Sequence, residues 1–141
     1  MELMQEIIKM VALCMAVIGG IISVRTYRSA QLVKRAEWLK SLFDLFFIQD
    51  TFKEVRRWLD FDILGEKLAN DPDHLIEEKF TDYLNFFEFI ATLKIQKQLS
   101  LEEINHLFYY YLDLIKKSEI CRKYIQAYGF KHLENLLANI R

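Results

Sequence analysis

Residues 7–24, IIKMVALCMAVIGGIISV, constrain this chain more than any other stretch, because apart from Lys9 they carry no charge. Counted from Leu3 the apolar run is about 22 residues, and a helix of that length covers roughly 33 Å, enough to cross the hydrocarbon core of a bilayer. Lys9 sits close to the N-terminal edge, where its four-carbon stem can carry the ammonium back to the headgroups. A cleaved signal peptide fits the stretch less well, since it needs a basic start, a shorter apolar core and a small-residue cleavage site, whereas here Glu2 and Glu6 precede the run and Arg25 ends it. A core helix of a water-soluble protein fits less well too: the adjacent Gly19 and Gly20 are tolerated in membrane helices and costly in soluble ones. The expectation is a transmembrane anchor over residues 1–28, followed by a folded domain over residues 29–141.

Charge sets the direction. Arg25, Arg28, Lys34, Arg35 and Lys40 follow the apolar run with only Glu37 against them, and the preceding flank is slightly acidic. The positive-inside rule then places the domain on the cytoplasmic face of an inner membrane, crossed once. Lys9, Arg25, Tyr27 and Arg28 form the anchor flank, at the depth where aromatic and basic side chains meet the interface. The basic cluster reads as a topology signal, with a specific lipid-headgroup site as the alternative.

The rest of the chain has ample material for one core. Of 141 residues, 52% are hydrophobic and 14% aromatic, so disorder is excluded for most of its length. The net charge of -1, with acids and bases interspersed, supplies no field to attract nucleic acid. Cys14 falls inside the membrane run and Cys121 far from it, which leaves neither a disulfide framework nor a metal knuckle.

Four Gly and one Pro in the whole chain, with apolar residues recurring at three and four, predict an all-α fold: an anchor helix continuing into a bundle of about five helices. Nothing in TYRSAQLVKRAEWLKSLFDLFF breaks the first helix, and Leu32, Ala36, Leu39, Phe43 and Phe46 share one face. Thr51 and Glu54 have capping-box spacing, predicting a helix over residues 52–61. Within it, Arg56 and Arg57 beside Trp58 read as a solvated face with one arginine stacked or paired, the alternative being a phosphate site. Residues 62–73 read as a loop, and Asp62, Asp71 and Asp73 lack calcium-loop spacing. Asp71 and Pro72 predict the start of a long helix to Gln98, with Asp as cap and Pro at the first helical position.

That helix carries FTDYLNFFEFIATL, apolar nearly all round and therefore placed in the middle of the bundle. Asn85 and Glu88 lie three apart on it, as a candidate buried polar pair. A buried carboxylate requires a partner, expected to be Arg35, Arg57 or Arg122. The run LNFFEFIATLKIQKQLSLEEINHLFYYYLDLI, followed by YIQAYGFKHLENLL, resembles small bacterial and phage proteins that join one N-terminal membrane helix to a helical domain with an L-N-F-F-E core motif. No activity is assigned to that family, so the resemblance implies fold and anchoring and transfers no catalytic residue.

Ser100 with Glu103 predicts a capping box and a helix to Lys117; Ser118 caps a short helix to Tyr128, ended by Gly129; and residues 130–140 form a last helix with Leu133, Leu136, Leu137 and Ile140 inward. Glu103 and His106 have the spacing of a carboxylate-bridged metal bundle, but His74 and His132 lack a Glu three residues before them, so no second copy completes the site. No Arg stands four to six residues before any His, and no phosphate loop or nucleophile elbow occurs. The sequence therefore indicates no catalytic residue, cofactor or metal. Its expected partners are the lipid bilayer and either another protein or a second copy. A pore-forming oligomer of the host-defence type is the alternative, because Ala12, Ala16, Gly19 and Gly20 permit close helix approach. Were Glu88 buried against an arginine, Glu88→Ala would cost about 3–5 kcal/mol, read as loss of a cooperative melt.

Overall fold

The computed structural model describes residues 1–140. Seven helices and no strand occur among them: α1 (Glu2–Ile48), α2 (Asp50–Asp60), α3 (Leu64–Ala69), α4 (Leu75–Ile95), α5 (Leu101–Lys117), α6 (Glu119–Tyr128) and α7 (Lys131–Asn139). By packing, the chain divides into two units, Met1–Leu42 and Phe43–Arg141. The anchor boundary at residue 28 marks the end of the basic and aromatic flank behind the apolar run; this second boundary marks where packing begins.

The first unit is a single helical segment. Its described side chains are exposed as far as Glu37, apolar ones included, and α1 is long and apolar enough to cross a membrane. The face expected to run inward is not uniform. Leu32 is 69% exposed, Ala36 is exposed, Leu39 is half-buried and Phe43 is 41% exposed, whereas Phe46 is fully buried.

In the second unit α4 packs against α2 and α7, and α5 against α2, α6 and α7. As its composition requires, α4 is buried on most sides, through Phe80, Tyr83, Leu84, Phe86, Phe87, Ile90, Ala91 and Leu93. Phe46, from the last turns of α1, is the hub of the core. Its ring centroid lies 5.2 Å from Phe86, 5.3 Å from Phe87 and Phe108, 5.1 Å from Tyr111 and 5.7 Å from Tyr83. Most of these pairs are edge-on or tilted, the geometry in which ring quadrupoles attract.

The caps divide into those read correctly and those that are not formed. Ser100 and Glu103 make the full capping box of α5, Ser118 accepts from the Cys121 N–H at the start of α6, and Gly129 ends α6 at φ 76°. The Thr51–Glu54 box is absent: α2 begins two residues earlier, with Gln49 at the cap and no side-chain bond. The expected loop contains α3, which makes six helices beyond α1. Gly65 there lies against Ile120 of α6, with 2.6 Å between the Ile120 Cδ1 and the place a Cβ would occupy. The long helix starts at Leu75 instead of Pro72, because His74 adopts a left-handed φ of 57°. Asp71 still serves the helix start, since its Oδ2 accepts from the Glu77 N–H at 2.8 Å.

Because the buried Phe46 ring packs against seven others, Phe47 and Phe52 as well as the five above, Phe46→Ala leaves a cavity that its neighbours cannot readily fill. We predict a loss of about 3–5 kcal/mol, measured by denaturant unfolding of the chain in mild detergent; a loss below about 1 kcal/mol would contradict the hub assignment.

Candidate functional site

Three helix ends in the second unit are each met by a charged side chain from another helix. The last turn of α1 carries no basic residue. Its orphan carbonyls meet Arg56 of α2, whose Nη1 donates to the Phe46 carbonyl and whose Nη2 donates to the Phe47 carbonyl at 3.2 Å. The guanidinium carbon lies 4.9 Å from the Phe46 ring centroid, 5.1 Å from Phe47 and 5.7 Å from Tyr111. Arg56 is only 7% exposed. A buried cation is tolerable here because carbonyls, the negative end of a helix dipole and aromatic faces surround it. Arg57 is exposed, so the stacked arginine of the pair is Arg56.

The second end is the start of α7, where Phe130 stands at the cap and cannot accept a hydrogen bond. Glu88 of α4 replaces it. Its Oε1 accepts from the His132 N–H at 3.1 Å and its Oε2 from the Leu133 N–H at 2.7 Å, and Oε1 also meets His132 Nδ1 at 2.9 Å. At the other end of α7, Lys116 Nζ donates to the Ile140 carbonyl at 2.7 Å.

This geometry corrects the expected Asn85–Glu88 pair. Asn85 is exposed, and the Glu88 side chain keeps 24% of its accessible surface. Among the described residues, the partners of the Glu88 carboxylate are two backbone amides and a histidine, with no arginine among them. The physical reason is directional: a helix start offers two parallel N–H groups to a carboxylate, without the cost of desolvating a second charge. Among the described residues, the buried charge is Arg56.

A fourth polar cluster joins α4 to α6 and was missed in the sequence. Glu77 Oε1 accepts from Tyr124 at 3.2 Å and from Tyr128 at 3.0 Å, and Oε2 meets His74 Nδ1 at 3.0 Å. The hydrogen bonds from His74 and Tyr128 hold the Glu77 carboxyl below its usual range. Tyr124 also bonds Thr81 at 2.6 Å, and its ring stacks on Tyr128 at 4.2 Å. The available signal was the matching four-residue spacing of Glu77 with Thr81 and of Tyr124 with Tyr128.

Nothing in these arrangements sets a nucleophile against a base. Burial pushes the Cys121 thiol up to about 11, far from a reactive thiolate. His106 is exposed, 3.7 Å from Glu102 and remote from any second ligand set. Among the described residues, no group of three or more His, Cys, Asp or Glu is placed to hold a metal. A groove of about 310 Å³ between α5, α6 and α7 has Ile125 and Leu137 beside Lys116, Arg122 and Glu134. The anchor-flank residues Lys9, Arg25, Tyr27 and Arg28 are exposed along α1. No protein-family model, curated protein or solved structure matches the chain.

Arg56→Ala removes two charge-assisted hydrogen bonds and leaves the buried Phe46 carbonyl and the part-buried Phe47 carbonyl unpaired, which we expect to cost about 3 kcal/mol. Arg56→Lys should recover less than half of that, because an ammonium cannot fork across two carbonyls. Glu88→Ala should cost about 1–2 kcal/mol, with the loss confined to α7. Equilibrium unfolding of the three variants checks the ordering; a Glu88 variant worse than Arg56→Ala would reverse it.

Proposed function

We propose that this chain is a single-pass membrane protein of the inner membrane whose helical domain lies in the cytoplasm and engages another protein or a second copy of itself, without catalysing a reaction. The observation that carries the reading is the first part of α1: helical, apolar on every side, and exposed throughout. Water penalises such a surface at about 25 cal/mol per Å², and a bilayer removes the penalty. Lys9 at one edge, and Arg25, Tyr27 and Arg28 at the other, suit the two interfaces and the stated orientation. In the second unit, Arg56, Glu88 and Lys116 are engaged in holding helix ends, which supports a binding role over a chemical one.

The pore-forming alternative has one observation in its favour. Gly19 and Gly20 have nothing within 4 Å of the position a Cβ would take, so a second helix has room to approach closely there.

The test is fractionation with protease protection. The full chain should stay with membranes through an alkaline carbonate wash, and its C-terminal domain should be digested only when the cytoplasmic face is opened to protease. Release by carbonate would contradict anchoring, and digestion from the opposite face would contradict the orientation. Deleting residues 1–28 should then yield a protein that leaves the membrane fraction.

A further inference from the structure

We propose that a cleft between α2, α3 and α4 binds a small soluble phosphate monoester that carries an apolar group. The cleft measures about 420 Å³, within the size range of small-ligand sites, and is lined by Glu54, Arg57, Trp58, Ile63, Lys67 and Ile76. The proposal goes beyond the anchored reading and does not depend on it. The covered part of the lining is apolar: Trp58 is buried, and Ile63 and Ile76 are half-buried. The exposed part is basic. Arg57 comes from the last turn of α2 and Lys67 from the last turn of α3, and the chain passes from one helix to the other through Asp62 at a left-handed φ of 53°.

Charge selects the ligand. Glu54 lines the cleft, but Lys79 of α4 neutralises it, with its Nζ 2.6 Å from the Glu54 Oε2. Among the described residues, the side chains of Arg57 and Lys67 have no hydrogen bond or ion pair, so two positive charges remain over. A phosphate monoester brings close to two negative charges at neutral pH and three acceptor oxygens. A guanidinium fork and an ammonium can meet these together. A cationic ligand would be repelled, and a neutral one would leave both charges unmatched. Trp58, Ile63 and Ile76 then offer apolar surface to the rest of the ligand. Each cation also complements the carbonyl end of its own helix, but that role alone requires no ligand, and binding separates the two.

The experiment uses the full chain in phosphatidylcholine nanodiscs. Trp38→Phe leaves Trp58, which lines the cleft, as the single tryptophan reporter. Titration with phenyl phosphate should change its fluorescence saturably, with inorganic phosphate and benzoate each binding several-fold more weakly. Arg57→Gln and Lys67→Gln should each lower the affinity roughly tenfold, the scale of one lost charge-assisted hydrogen bond. Both residues are exposed, so the melting curve should hold; Arg122→Gln, exposed on α6, should leave binding as it was. No saturable change with phenyl phosphate, or equal losses from all three substitutions, would overturn the proposal. So would equal binding of inorganic phosphate, which would deny the apolar surface a part. A Trp58 response to phosphatidic acid in the disc, abolished by Arg57→Gln and absent with phenyl phosphate, would assign the cleft to a lipid headgroup and overturn the soluble ligand.

Discussion

The guanidinium of Arg56 on the last carbonyls of α1 is the interaction on which the domain's packing depends. At the end of α1 the Phe46 carbonyl is buried and the Phe47 carbonyl part-buried, and a buried carbonyl left unpaired costs about 1–3 kcal/mol. Phe46 can occupy the centre of the aromatic core only if the turn that carries it is satisfied there. Arg56 does this from α2 while its own charge is shared among two carbonyls and the faces of Phe46, Phe47 and Tyr111. The hub ring and the buried cation are therefore one feature, with each tolerable because of the other.

The same logic recurs with the opposite sign at α7. A nine-residue helix is too short to be stable alone, and this one has Phe130 where a capping side chain would stand. Glu88 from α4 holds its first amides and Lys116 from α5 its last carbonyl, while Leu133, Leu136 and Leu137 are buried. Apolar burial supplies most of the free energy, and the charges at the two ends fix where along its neighbours the helix sits.

Local features were legible in the sequence. The continuous first helix, the capping box at Ser100 and Glu103, the Ser118 cap, Gly129 and the inward leucines of α7 all depend on neighbours within a turn or two. The burial of α4 was legible because its composition leaves no polar face. Partners distant in sequence were not. Glu88 was recognisable as a carboxylate needing a partner, but whether an arginine or a helix start would meet it depends on tertiary placement, and Asn85 three residues away turns outward. Arg56 was distinguishable from Arg57 only by the direction each faces, and α3 was hidden by the Gly65, Asn70 and Pro72 that made its surroundings look like a loop.

Native-state amide hydrogen exchange on the full chain in detergent, comparing the parent with Arg56→Ala, tests the central claim most directly. If Arg56 secures the hub, removing it should lower protection together in α2, α4 and α5, the helices whose rings and side chains surround Phe46, because they would open in one cooperative step. If protection falls only in the last turn of α1 and the first turn of α2, the guanidinium is a local cap and the core does not depend on it.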